Sequence, residues 1–306
     1  MKKERIIRPP RLKPGDTVSL VAPAGPFEHK RDFFDRGVDL LETIGFNVKI
    51  PDGLFEQKGY LAGRDEHRAE LLTSAFKDPA VRAVFCVRGG FGSARILSLL
   101  DFDELAADPK IIVGFSDITV LLVAFYQRSG IVTFHGPLVT TFGQGSHRTK
   151  DSLVRAVTSD QPIVLSPSKP VVLCPGYAKG PVLGGNLTNI CHLTGTPYEP
   201  DLKGALLLLE DCGEAPYRID RMLCHLRLGG RLQDIAGVIV GSFVECGDLQ
   251  TIYDIIADNL ADREIPVLAG FEIGHDRENM TIPIGLAAVL DTESGLLSFA
   301  GPATSL

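Results

Sequence analysis

Apolar positions along this chain follow two rhythms. Short continuous runs at residues 18–22, 46–50, 83–87, 111–115 and 131–135 read as buried strands. Between them, stretches 31–44, 64–76, 91–100 and 117–129 repeat apolar residues at helical spacing. Strand and helix in alternation predict βαβ units and a mostly parallel sheet flanked by helices. Such sheets place their ligands at the carboxyl ends of the strands. Two of those ends carry suggestive residues: Arg88-Gly89-Gly90 after the third run and Ser116-Asp117 after the fourth.

The second half is less regular. Residues 141–180 are rich in Gly, Ser, Thr, Pro and Lys, carry one weak helical signal at 151–157, and read as a connector. Strand runs at 205–209, 237–241 and 266–269 then alternate with helices at 217–228 and 248–261, and the chain closes in short hairpin-like segments. The expected organisation is α/β throughout. An N-terminal domain spans 1–150, a linker 151–178, and a mixed α/β domain 179–306.

Composition narrows the classes. The 306 residues suffice for two cores, and 23% charged against 44% apolar residues is ordinary for a globular protein. A net charge of −7 without a basic stripe argues against non-specific nucleic-acid binding. No apolar run approaches the roughly 18 residues of a membrane span. The opening MKKERIIRPPRLKPGD has the charges of a signal peptide but no apolar segment behind them, so a cytoplasmic setting is expected. The six cysteines form no CxxC pair, which fits neither a disulfide framework nor a zinc finger. No HExxH and no His/Cys pair at ligand spacing is present, so neither metal nor cofactor is expected.

Candidate chemistry lies at four places. Ser116 falls between a strand and a helix, where a turn exposes a hydroxyl and aims free helix N–H groups at it. A serine nucleophile needs both, although taken alone such a serine is more commonly an N-cap. RGGFGSAR, residues 88–95, is a glycine-rich turn that matches neither nucleotide-loop pattern. Its glycines let backbone N–H groups approach a substrate, so Gly90 is a candidate oxyanion donor opposite Asp117. Arg88 is a candidate partner for a substrate carboxylate, or an ordinary surface ion pair. Glu210 and Asp211 follow an apolar strand at its carboxyl end, with pairing to Arg218 and Arg221 as their bland role; Glu214, in a turn that reads as exposed, is the weaker candidate. His275 stands in a glycine-flanked loop, and His135, just after a strand, is expected beside the site rather than in it.

Taken together, VAPAGP, YLAGRDEHRAELL, CVRGGFGSARIL, VGFSDIT, HGPL, GPVLGGNLT, LLLEDCGEAPYRIDRML and GHDRENMTIPIG resemble the serine LD-carboxypeptidase family. That family includes the muramoyltetrapeptide carboxypeptidases. The eight pieces occur in the family's order between about residues 21 and 285. The resemblance implies an active site at the interface of two domains, with Ser116 as nucleophile, Glu210 as the carboxylate and His275 as the base. It further implies oxyanion contacts from the backbone N–H groups of Gly90 and Asp117, no metal, and a homodimer; Arg88 and Gly89 are candidate substrate-binding residues on their own chemistry. The implied substrate is a murein tetrapeptide that loses its terminal D-alanine. Related microcin-C self-immunity peptidases cleave peptidyl- or aminoacyl-nucleotides instead. The absence of Trp and the short Gly/Ser-rich segment 141–150 lean away from them. The order Ser, acid, His also occurs in α/β-hydrolases. Ile118 replaces the second glycine of GxSxG, however, so that elbow is not expected here. A non-catalytic binding protein is disfavoured because all three positions hold competent residues.

Overall fold

A computed structural model of the protein describes residues 6–306; the basic run at residues 1–5 lies outside the described residues. The first half builds β1 (Thr17–Val21), β2 (Asn47–Lys49), β3 (Val81–Cys86), β4 (Ile111–Gly114) and β5 (Thr133–His135), all parallel, in the order β5-β4-β3-β1-β2. The second half builds β6 (Val164–Leu165), β7 (Val171–Cys174), β8 (Tyr177–Asn186), β9 (Leu206–Cys212), β10 (Gly237–Val244), β11 (Val267–Ala269), β12 (Ile282–Ile284), β13 (Ala287–Asp291) and β14 (Leu296–Phe299). Eight of these form a mixed sheet in the order β6-β14-β13-β8-β9-β10-β11-β7. The ninth, β12, crosses back and pairs antiparallel with β5, as the edge strand of the first sheet.

Helices follow the apolar periodicity. Arg31–Thr43, Asp65–Lys77, Pro216–Leu228 and Leu249–Asn259 each bury one stripe. Thr119–Ser129 differs, because Thr119 through Phe125 are all buried. Its first two turns are buried on every side because they are packed between the first sheet and elements of the second half, and it stops at Gly130, whose φ of +80° supplies a left-handed cap. The stretch expected as one helix over 91–100 is a single α turn, Ser93–Ile96, followed by a 3-10 turn, Leu97–Leu99.

The stretch read as a connector, 151–178, is not featureless. It continues the helix His147–Thr158 and contains β6 and β7, the two edges of the second sheet. Edge strands of two and four residues with mixed exposure leave too short an apolar pattern to stand out among Pro and Ser. One buried apolar cluster extends from Leu20 and Phe85 through Phe134 and Ile282 to Leu207 and Val238. The two sheets therefore share a core.

Candidate active site

β4 is followed, after one residue, Phe115, by Ser116. Its φ of +64° is left-handed; among the described residues only one other non-glycine, Glu245, has a positive φ. A residue with a Cβ adopts this conformation at a cost and holds it only where its surroundings enforce it. Here the first two turns of the helix behind it are buried all round. The strained elbow is therefore present although the second glycine of the usual motif is missing. Gly114 explains why: a Cβ there would lie 2.7 Å from Ile118 Cγ2, so the space opened by the first glycine is filled by the isoleucine standing at the second. The N-cap of the 3-10 turn Ser116–Ile118 is Phe115 and that of the helix after it is Ile118, neither with a side-chain cap, so Ser116 is not an N-cap. Its Oγ instead lies 2.9 Å from His275 Nε2.

Glu210 ends the run Leu206–Leu209 on β9 and is completely buried. Its Oε2 lies 2.6 Å from His275 Nδ1. Burial pushes the Glu210 carboxyl up, while the neighbouring imidazole pulls it back toward the ionised form. For His275, burial opposes the charged ring. The Glu210 carboxylate and the Cys212 side chain outweigh that, and its pKa is raised. Phe115 meets the imidazole edge-on at 4.7 Å between centroids, which fixes the plane of the ring. Gly274 must be glycine: a Cβ there would fall 2.4 Å from Glu210 Oε2, at a φ of +122°.

His275 sits in the crossover between β11 and β12, so the loop that carries it is anchored in both sheets. Asn279 tightens it, its Oδ1 accepting from Gly274 N at 3.0 Å and its N–H donating to Thr149 Oγ1 at 3.0 Å. His135 lies nearby, fully buried, its ring 5.8 Å from Phe115. Burial, then the charge of His275, lower its pKa to about 3, so it stays neutral.

The glycine loop faces the hydroxyl. A Cβ on Gly89 would lie 3.0 Å from Ser116 Oγ and 3.5 Å from Asp117 N, so the space before Gly89 is bounded by a hydroxyl and an amide. Gly90, the next residue, is left-handed at φ +105°. Asp117 is buried, and its Oδ2 accepts from Ser93 N at 2.8 Å. Burial pushes that carboxyl up and the Ser93 amide pulls it down. Its side chain thus ties the serine turn to the glycine loop. Arg68, 1% exposed, braces the loop from behind, donating to Gly92 O at 2.9 Å and to Pro23 O and Asp65 Oδ1. Arg95 grips the same Asp65 at 2.7 Å. Arg88 donates to Pro26 O at 2.5 Å.

Other candidates fall elsewhere. Asp211 accepts from Asn186 Nδ2 at 2.9 Å and from Thr188 N at 2.9 Å, a structural role at the start of the helix Leu187–Leu193. Glu214 pairs with Arg218 on the surface. Two residues of the GGNLTN stretch carried no expected role. Asn186, which sits in register with Glu210, caps that helix, and Asn189 Nδ2 donates to Ser116 O at 3.4 Å. A cleft of about 550 Å³ opens beside His275, lined by Lys30, Phe115, Thr141, Gln144 and Arg277 among others. Among the described residues no group of His, Cys, Asp and Glu is arranged to hold a metal ion.

Known proteins are similar to this one along nearly the whole chain. Residues 18–136 match the LD-carboxypeptidase N-terminal domain and residues 179–290 the LD-carboxypeptidase C-terminal domain. A probable murein peptide carboxypeptidase from Bacillus subtilis is 39% identical over 93% of this chain and 92% of its own. The crystal structure of an MccF-like protein from Bacillus anthracis superimposes with a TM-score of 0.91 at 28% identity, covering 96% of this chain and 99% of that one. That of a muramoyltetrapeptide carboxypeptidase from Oxalobacter formigenes does so with 0.81 at 29% identity, covering 92% and 97%. The chain belongs to the LD-carboxypeptidase family.

Proposed function

We propose that this protein is a serine carboxypeptidase that removes the terminal D-alanine from murein tetrapeptides. The observation that carries the reading is the row Ser116 Oγ, His275 Nε2, His275 Nδ1, Glu210 Oε2, joined by contacts of 2.9 and 2.6 Å. In this reading residues 1–150 supply the nucleophile and residues 179–306 supply its base and carboxylate. His275 Nε2 takes the proton as Ser116 Oγ bonds to the carbonyl carbon of the L-centre. The backbone N–H groups of Gly90 and Asp117 receive the oxyanion. Collapse breaks the C–N bond, and Nε2 passes its proton to the departing D-alanine nitrogen. A water then gives a proton to Nε2 and attacks the ester, releasing the shortened peptide with a new carboxylate and returning the hydroxyl to Ser116. Glu210 holds the Nδ1–H tautomer and stabilises the imidazolium between steps. The names of the Bacillus subtilis and Oxalobacter relatives support the murein substrate.

The proposal includes a cytoplasmic setting and a homodimer, after the habit of the family; sedimentation velocity reads the second. Among the described residues no helix is long and apolar enough to cross a membrane.

Mass spectrometry of L-Ala-γ-D-Glu-meso-diaminopimelate-D-Ala incubated with the protein tests the reaction. Wild type should release one D-alanine, and Ser116→Ala should release none while keeping its melting temperature within a few degrees. Equal cleavage by both would defeat the assignment of the serine.

A second reading has one observation in its favour, the TM-score of 0.91 to an MccF-like protein. It makes the substrate an aminoacyl-nucleotide amide. Hydrolysis of an aminoacyl sulfamoyl adenosine, with the tetrapeptide left intact, would select it.

A further inference from the structure

A carboxypeptidase differs from an endopeptidase by one demand: the residue beyond the scissile bond must present a free carboxylate. That carboxylate lies only about 3–4 Å beyond the scissile carbonyl carbon. A cation that recognises it must therefore stand within a residue's breadth of the nucleophile. Two cations are placed to be tested against that demand: Arg88, on the glycine loop that faces the hydroxyl, and Lys30, in the wall of the cleft that holds His275. A Cβ on Gly89 would lie 3.0 Å from Ser116 Oγ, and one on Gly25 would lie 3.0 Å from both Gly89 O and Arg88 Nη1. The Arg88 guanidinium is thus separated from the hydroxyl by the width of two glycines. Pro26 O accepts from that guanidinium, and four residues further on Lys30 enters the wall of the cleft that holds His275.

Among the described residues neither cation has a carboxylate counterion. Other cations of the first half that are buried or partly so are paired: Arg11 with Asp160, Arg68 with Asp65, Lys110 with Asp108. Among the described residues no carboxylate lies within 4.0 Å of Lys30 or Arg88. Both side chains are partly buried, so each has given up water without gaining an anion. Burial, followed by the charge of Arg88, lowers the pKa of Lys30. Two like charges held near each other in a cleft are unfavourable unless something negative completes them.

We propose that Lys30 and Arg88 together grip the C-terminal carboxylate of the substrate, and that this grip restricts the enzyme to the last residue of a chain. The proposal rests on the carboxypeptidase reading above and adds Lys30, which that reading leaves without a role. Arg88, fixed by Pro26 O, presents a planar donor edge, and Lys30 closes from the cleft side with a mobile ammonium.

The experiment compares L-Ala-γ-D-Glu-meso-diaminopimelate-D-Ala as the free acid and as its C-terminal D-alaninamide. Wild type should strongly prefer the acid. In Lys30→Met the acid-over-amide preference in kcat/KM should fall roughly tenfold to a hundredfold, mainly through KM. Lys30→Arg, which keeps the charge, should regain most of it. Lys30 is partly exposed at a helix start, so loss of folding is not expected, and a thermal melt checks that. An unchanged preference in Lys30→Met overturns the proposal. So does an equal loss on acid and amide, which would put Lys30 on another carboxylate of the peptide. So does a wild type that cleaves the amide as readily as the acid. Cleavage of neither peptide by the wild type defeats the carboxypeptidase reading itself, and the subsite with it.

Discussion

Ser116 pays for its exposure with a backbone that side chains avoid, φ +64°. Replacing it separates chemistry from strain. Both Ser116→Ala and Ser116→Gly lose the hydroxyl and should be inactive. Ser116→Gly should be the more stable of the two by about 1 kcal/mol, because only glycine adopts this region freely; urea unfolding measures the difference. His275 offers a second handle. It accepts the serine proton only when Nε2 is unprotonated, so kcat/KM rises as pH climbs through its pKa. Glu210 raises that pKa, which places the acid limb above the ordinary imidazole value near 6.5. In Glu210→Gln the negative charge is gone, the pKa falls and the acid limb should move to lower pH. The plateau should drop roughly 10³–10⁴-fold as the tautomer is lost. A pH–rate profile of both proteins shows the two effects separately; a limb that stays in place would mean that the carboxylate does not set it.

At the level of elements, the glycine loop is held by a helix it does not belong to. Arg68 on Asp65–Lys77 gives its protons to Pro23 O, Gly92 O and Asp65 Oδ1. Arg68→Met should leave Pro23 O without a partner and Gly92 O with only its bond from Arg95 N, lower stability by about 1–3 kcal/mol, and lower kcat as the loop before Ser116 loosens. A thermal melt and steady-state rates check both. The strand ends that carry Arg88 and Ser116 were legible because buried parallel strands are unbroken apolar runs and their helices have a clear period. Glu210 stood out for a related reason, a charge directly after four leucines. The remaining parts were hidden by short or irregular sequence. β6 and β7 are edge strands within a Pro- and Ser-rich stretch. β12 contains Pro283, which a strand tolerates at a sheet edge but which argues against a strand in sequence. Lys30 and Asn189 carry no local signal, since what they do depends on neighbours 58 and 73 residues away in the chain, Arg88 and Ser116.

Across the whole molecule, Ser116 follows a strand of one sheet, Glu210 lies near the carboxyl end of a strand of the other, and His275 lies on the crossover between them. Asn279 and the β5–β12 pairing hold that crossover, and the shared core keeps the sheets in register with each other. The same β12 also bears on how the protein is made. The first sheet lacks its edge strand until residue 284 of 306 has been synthesised. Until then β5 presents unpaired backbone N–H and C=O groups, an open invitation to a neighbouring nascent chain. The first half therefore emerges from the ribosome incomplete, and its last piece arrives with the segment that carries the histidine. Closure of the first sheet and completion of the active site are thus a single late event in the life of each chain.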